Sequence, residues 1–243
     1  MKNLRATALV TVTHDPDGKN IKLFKELQKS LEEVYAELFI TISEESSSEL
    51  IKEVQKSTFN CKLIPKNGAA YARREALKFA LTGNSRHYHY CDLDRILTWG
   101  KQHLTELKKV VAHIPNYDYL IIGRTDKAMN THPVEWIETE RITNRIFSIE
   151  LGKEVDVTAG SCAFSQINAE FISKYSKEKM TDAEWPMIIS RIAKRQVDYL
   201  SVEGLAYQEE INGLNRHVSE SDKWFSRLKL SLVISETAMK VGK

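Results

Sequence analysis

Ala6-Thr7-Ala8-Leu9-Val10-Thr11-Val12-Thr13, followed at once by His14-Asp15-Pro16-Asp17-Gly18, is the stretch on which the fold reading turns. An uncharged, apolar and β-branched run is the composition of a central strand covered on both faces. The second segment is a dense turn signal that ends it. Beyond the turn, apolar residues at Ile21, Phe24, Leu27, Leu31, Val34, Tyr35 and Leu38 keep the three-and-four spacing of an amphipathic helix. Leu38 to Ile42 reads as the next strand. Ser46 with Glu49 three positions on forms a capping box for a helix over 49–57, and Cys61 to Ile64 reads as a third strand stopped by Pro65.

The alternation continues through a helix over 69–81, a strand over 87–91 and a helix marked by Leu104, Leu107, Val110, Val111 and Ile114. A strand over 117–123, a helix from Pro133 to about Ile149 and an extended segment from Val155 to Thr158 follow. Helices near 168–175 and 184–194, a strand over 197–202 and an amphipathic helix from Asp222 close the chain. Alternating strands and helices predict an α/β fold with a mostly parallel central sheet flanked by helices. With no repeat, low-complexity stretch or clear linker, the 243 residues read as one domain.

Composition narrows the function classes. Lys plus Arg is 35 and Asp plus Glu is 33, a formal charge of +2, which argues against a dedicated nucleic-acid binder. The cysteines Cys61, Cys91 and Cys162 are odd in number and far apart, as expected of buried thiols in a reducing compartment rather than a disulfide framework or zinc cluster. The apolar run near the N-terminus is too short for a signal peptide or a membrane span, so a cytoplasmic protein without a transmembrane segment is expected.

The sharpest local feature is Tyr90-Cys91-Asp92-Leu93-Asp94-Arg95 at the end of the fourth strand. In open parallel sheets the ligand crevice lies beyond the carboxyl ends of the strands, and residues two apart on an extended backbone point the same way. Two carboxylates aimed together favour a cation between them, and Mn²⁺ or Mg²⁺ suits oxygen ligands completed by water and phosphate. Upstream, Asn67-Gly68-Ala69-Ala70-Tyr71-Ala72-Arg73-Arg74 opens a helix, whose free amides and dipole, with Arg73 or Arg74, offer ground for a phosphate. Together the two features predict a nucleoside diphosphate held by a metal and by basic groups.

In order and spacing these motifs resemble the GT-A type nucleotide-sugar glycosyltransferases, particularly the family 2 group and its relatives. The resemblance spans roughly residues 6–202. It includes Gly160-Ser161-Cys162-Ala163-Phe164, similar to a Gly-rich segment near the acceptor, and Thr181-Asp182-Ala183-Glu184-Trp185, similar to an acidic helix motif. It implies a nucleotide-sugar-binding half over 6–125, an acceptor half over 126–215 and a C-terminal helix over 216–243. Asp92 and Asp94 would then face the donor diphosphate and its metal, while Thr13, His14 and Asp15 lie by the base or ribose. Asp182 or Glu184 would take the proton of the acceptor hydroxyl, and His217 would be a further metal ligand. Gly68, Arg73 and Arg124 would contact the donor, and Trp136 and Trp185 would offer stacking faces to a sugar.

The implied reaction moves a sugar from a nucleotide-diphosphate sugar to a hydroxyl acceptor on a glycan, small molecule or lipid carrier. Inversion is favoured over retention. The acceptor motif of the processive synthases is absent, with Lys223-Trp224-Phe225-Ser226-Arg227 a loose echo. A sugar-phosphate nucleotidyltransferase is the nearest rival, but position 14–18 lacks its Gly-rich, Arg-containing loop; a catalytically inactive nucleotide or glycan binder of the same fold is the other. The C-terminal helix could seat on a partner or membrane surface, packing over the sheet being its duller use, and homo-oligomerisation is left open.

Overall fold

The computed structural model describes residues 6–213 and 219–243. Seven strands form one sheet: β1 (Thr7–Thr13), β2 (Glu37–Ser43), β3 (Asn60–Ile64), β4 (His87–Cys91), β5 (Tyr119–Arg124), β6 (Ser161–Ser165) and β7 (Val197–Val202), in the order β3-β2-β1-β4-β6-β5-β7. All neighbours run parallel except β6, which is antiparallel to both β4 and β5. The mostly parallel α/β expectation therefore holds.

Helices α1 (Ile21–Val34), α2 (Ser48–Gln55), α3 (Ala69–Ala80), α4 (Leu93–His113), α5 (Asp126–Met129), α6 (Val134–Leu151), α7 (Gln166–Tyr175), α8 (Thr181–Met187), α9 (Glu209–Asn212) and α10 (Glu220–Lys240) connect and cover the strands. The uncharged run of β1 is explained by its central place, with Ala8, Leu9 and Val10 wholly buried. On one face, Leu9, Ile40 and Ile122 meet Phe24, Leu31, Leu97 and Trp99 from α1 and α4. On the other, Val10, Tyr90 and Phe164 meet Leu77, Ile172, Trp185 and Ile234 from α3, α7, α8 and α10. Burying each such side chain contributes about 1.5–3 kcal/mol.

The polar strand His87 to Tyr90 is central because Tyr88, His89 and Tyr90 find partners for their polar atoms inside the protein, whereas His87 Nδ1 is buried without one. His89 is fully buried, with Nδ1 2.7 Å from the Tyr35 hydroxyl and Nε2 3.0 Å from Ser161 Oγ. Burial pushes its pKa down to about 3, so the ring is neutral.

Four local expectations are corrected. Ser46 does not cap α2: Ser47 holds that position, and Ser46 Oγ accepts from the Asp15 amide at 3.1 Å. Val155 to Thr158 is not a strand, because the Val157 amide donates to Asn144 Oδ1 at 3.0 Å instead of a neighbouring strand. The fourth long helix begins at Leu93, immediately after β4, with a kink at His103. The 184–194 helix begins at Thr181 and passes into a π-helical turn over Ile188–Ile192.

α10 packs on α6 and α8, and buries Ile234 and Ala238. Its outer face exposes Phe225, Leu228 and Leu232, as α6 exposes Ile142 and Ile149. Among the described residues, no helix is long and apolar enough to cross a membrane.

Candidate active site

β4 runs directly into α4, and that junction sets the site. Asp92 has extended backbone at the helix start, while Asp94 lies in the first helical turn. The two carboxylates converge through a strand-to-helix turn, which corrects the expectation that both sit on extended backbone. Asp92 does not cap its helix: Oδ1 accepts from the Tyr90 hydroxyl and Oδ2 from Arg73 Nη2 at 2.9 Å. Asp94 Oδ2 accepts from Asn212 Nδ2 at 2.7 Å. Burial raises the Asp94 pKa above the ordinary carboxylate range, opposed by Arg95 and assisted by Asp92.

Two cavities meet at this junction. One, of about 530 Å³, is lined by Thr13, His14 and Asp15 after β1, by Gly68 and Ala69 at the start of α3, and by Arg73, Asp92, Asp94 and Asn212. The other, of about 380 Å³, shares Ala69, Arg73, Asp92, Asp94 and Asn212, and extends past Gly160, Thr181 and Asp182 to Arg95, Trp136, Glu140 and Arg227. Gly68 has φ +84° and ψ 163°, a conformation open essentially to glycine, and a Cβ there would meet nothing within 4 Å; the residue is required by backbone shape rather than space. It opens the twelve-residue α3, whose first residues line both cavities and whose first-turn amides have no partner within the helix. Antiparallel pairing of Cys91 with Ser161 places Gly160 against Asp92, so the Gly-rich segment reaches the site from β6.

Thr13, His14, Gly68, Arg73, Asp92, Asp94 and Asp182 thus come together. The Asp15 carboxylate, however, is turned back to receive the Lys19 and Asn20 amides at 3.0 and 2.8 Å, closing the turn before α1. Arg73 carries a charge already matched: Nη1 donates to Asp182 Oδ2 at 2.5 Å and to Thr181 Oγ1 at 3.0 Å, and Nη2 donates to Asp92. Its Nε is buried without a partner. The phosphate ground therefore falls on the α3 amides more than on Arg73. Arg74 is structural, donating to the Glu178 carbonyl at 2.8 Å.

Three expectations fail on geometry. Arg124 lies behind the cavity wall, 5% exposed, bonded to both oxygens of Asp156 and to Glu140 Oε2 at 2.7 Å. Although burial alone would raise the Asp156 pKa, Arg124 holds it down at about 2. Glu184 is 1% exposed and accepts from Ser176 Oγ and from the Lys177 and Glu178 amides, so its oxygens are spent on a turn and it faces neither cavity. Trp185 is core, edge-on to Tyr90 and Phe164, with its indole donating to Ser176. Trp136 does line the smaller cavity. His217 lies outside the described residues.

Sequence reasoning missed Tyr90 and Asn212 as partners of the two aspartates. Asn212 is 118 positions from Asp94, and no local signal marks such a pairing. For a divalent cation, the carboxylates supply hard oxygen donors on the shared cavity wall. Among the described residues no cluster of three His, Cys, Asp or Glu side chains gathers to hold a metal. The pair fits Mn²⁺ or Mg²⁺ as a partial shell that substrate oxygens complete.

No family model and no curated protein matches the chain. Solved structures do. Glucosyl-3-phosphoglycerate synthase from Mycobacterium tuberculosis, in complex with Mn²⁺, UDP and glucosyl-3-phosphoglycerate, superposes with a TM-score of 0.58 at 10% identity, over 98% of this chain and 81% of that one. The 4-diphosphocytidyl-2C-methyl-D-erythritol synthase of Anaerococcus prevotii superposes with a TM-score of 0.51 at 13% identity, over 94% and 99%. The likeness is one of fold: the chain has the GT-A type architecture of nucleotide-diphospho-sugar transferases.

Proposed function

We propose that this protein transfers a sugar from a nucleoside-diphosphate sugar to a hydroxyl group. The observation that carries the reading is the meeting of two cavities at Asp92 and Asp94, one running back to the end of β1 and the other to Asp182 and Trp136. A nucleotide in the larger cavity, by Thr13 and His14, would bring its diphosphate to the α3 amides and to Asp94. The acceptor would enter the smaller cavity.

Bound by Asp94 with Asp92, Mn²⁺ or Mg²⁺ would supply positive charge to the departing diphosphate. The amides at the start of α3 add to that charge from fixed positions, at no cost of reorganisation. Of the two carboxylates that line only the smaller cavity, Glu140 is taken by Arg124 and Thr158, and Asp182 has its orientation fixed by Arg73 through Oδ2. Its remaining oxygen would take the proton from the attacking hydroxyl, a role expected to be worth 10²–10⁴ in rate. A direct displacement with this base on the acceptor side inverts the anomeric centre.

A second reading, a catalytically inactive nucleotide or glycan binder, draws support from the same Arg73, which holds both Asp92 and Asp182 in ion pairs. Thermal unfolding with UDP, GDP, ADP, CMP or dTDP, with and without Mn²⁺, tests the proposal. One nucleotide should stabilise the wild type in a metal-dependent way and fail to do so in the Asp92→Ala/Asp94→Ala variant. Turnover of the corresponding sugar donor separates the transferase from the binder. The absence of stabilisation by all five nucleotides would overturn the transferase reading and leave the inactive glycan binder.

A further inference from the structure

Arg73, Arg95, Lys179 and Arg227 line the smaller cavity, and among these arginines Arg95 and Arg227 lack the counter-charge that Arg73 has. Arg73 is matched by Asp92 and Asp182, and Arg124, behind the wall, by Asp156 and Glu140. Arg95 and Arg227 differ. Arg227 makes no hydrogen bond among the described residues; its guanidinium lies over the Trp136 ring, 3.0 Å from the centroid. Its nearest carboxylate is Glu140, at 3.7 Å, whose other oxygen is already 2.7 Å from Arg124.

Arg95 is 4.0 Å from Asp94, and its Nη1 lies 3.4 Å from His132 Nε2. The His132 ring is neutral, because burial, with Arg124 and Arg95 adding, pushes its pKa down to about 3; with Nδ1 donating to the Ala128 carbonyl at 3.1 Å, Nε2 is an acceptor without charge. Arg95 also approaches Trp136 and Tyr207, at 6.0 and 5.9 Å from the ring centroids. Both arginine side chains are mostly buried, 14% and 17% exposed.

Two guanidinium groups gathered on one aromatic wall repel each other. Burial lowers the Arg227 pKa to about 10, with Arg95 adding to the shift and Glu140 opposing it. Aromatic faces hold such groups in place while leaving their N–H edges to a ligand. Planar, pre-oriented guanidinium groups bind carboxylate or phosphate oxygens, and burial strengthens those charge-assisted bonds.

We infer that Arg95 and Arg227, set against Trp136, form an anion subsite, so the acceptor of the proposed transfer carries a carboxylate or phosphate group beside its reacting hydroxyl. This rests on the transferase reading of the cleft. The donor's own diphosphate is the competing source of negative charge. Arg95, Trp136 and Arg227 all line the cavity with Asp182 and none lines the one with Thr13 and His14, which favours the acceptor.

The test titrates full-length protein, with its stabilising nucleotide and Mn²⁺ present, with glycerol 3-phosphate, glycerate and glycerol, three probes matched in skeleton and differing in charge. Saturable binding of one or both anionic probes, with none of glycerol, is expected. Arg95→Gln and Arg227→Gln should each weaken it by about tenfold or more, while the stabilisation by nucleotide stays at its wild-type value. Arg227→Lys, retaining charge in the same fold, should recover part of the affinity. Equal binding of glycerol, or unchanged anion affinity in folded Gln variants, would overturn the inference. Loss of nucleotide stabilisation in those variants would also overturn it, by assigning the arginines to the donor. Failure of the transferase reading itself has a different signature, the absence of nucleotide stabilisation in the wild type.

Discussion

Arg73, on α3, donates through Nη2 to Oδ2 of Asp92, at the end of β4, at 2.9 Å. The same guanidinium reaches Asp182 on α8, so one buried cation joins the carboxylate proposed for the donor side to the one proposed for the acceptor side. Removing it would leave two carboxylates facing each other in a largely buried wall. Breaking buried pairs of this kind costs about 3–5 kcal/mol. Arg73→Met is expected to lower stability by roughly that amount and to abolish turnover, whereas Arg73→Lys should retain the fold and lose part of the activity, because an ammonium cannot span both partners with a planar fork. Urea unfolding beside a transfer assay checks both.

Asp94 is the aspartate with the least protein compensation, so its loss should act on the metal-dependent part of nucleotide binding. A ligand at a hundred times its dissociation constant adds about 2.7 kcal/mol of stability. In Asp94→Asn, which keeps size and the contact to Asn212, most of the Mn²⁺-dependent increment should vanish. Full retention of that increment would remove Asp94 from the metal site.

Asp182 and Glu184 are predicted to separate cleanly. Asp182→Asn should lower the rate of transfer by 10²–10⁴ while leaving nucleotide stabilisation in place. Glu184→Gln should act on stability alone, by about 1–3 kcal/mol, since its carboxylate receives two backbone amides and a hydroxyl away from either cavity. Steady-state rates and melting curves of the two folded variants decide the assignment.

Arg124 is predicted to be structural. Arg124→Met leaves Asp156 and Glu140 unpaired and should cost about 3 kcal/mol or more. At temperatures where the variant is folded, its nucleotide affinity should match the wild type. A selective loss of donor affinity would restore it to the binding site.

His89 predicts acid sensitivity. Its folded pKa of about 3 lies below its ordinary value of 6.5, so as pH falls the unfolded chain takes up a proton that the folded state refuses. Stability is whole at neutral pH and declines from about pH 6.5 towards 3. Between pH 7 and 5 the contribution is about 1–2 kcal/mol. Denaturant unfolding of the wild type and His89→Gln at both pH values should show a smaller acid loss in the variant.

Much of the fold was legible because its signals are local. The uncharged β1, the periodic α1 and the terminating Pro65 each act within a few residues, and periodicity reports which faces are buried. The junction of β4 with α4 was harder: Asp92 and Asp94 were found, but Leu93 to His113 was read too short because Ile96 to Gly100 is buried and carries no charged face to mark its period. Val155 to Thr158 has strand composition, yet Asn144 takes its amides and Arg124 takes Asp156, interactions that residue types alone do not announce.

By itself the sequence determined the alternation of strands and helices, the aspartate pair at the end of β4 and the glycine that opens α3, because each depends on neighbours in the chain. Only the tertiary structure decided which charges are free. Arg73, Arg124, Asp15 and Glu184 look equally available on paper, and all four are spent on partners, Arg73 and Arg124 on carboxylates brought near by folding and Asp15 and Glu184 on groups within eight positions of themselves. Arg95 and Arg227 stand 132 positions apart and meet only over Trp136. The physical reason is that a buried charge is defined by its counter-charge and its distance from water, and both are properties of packing.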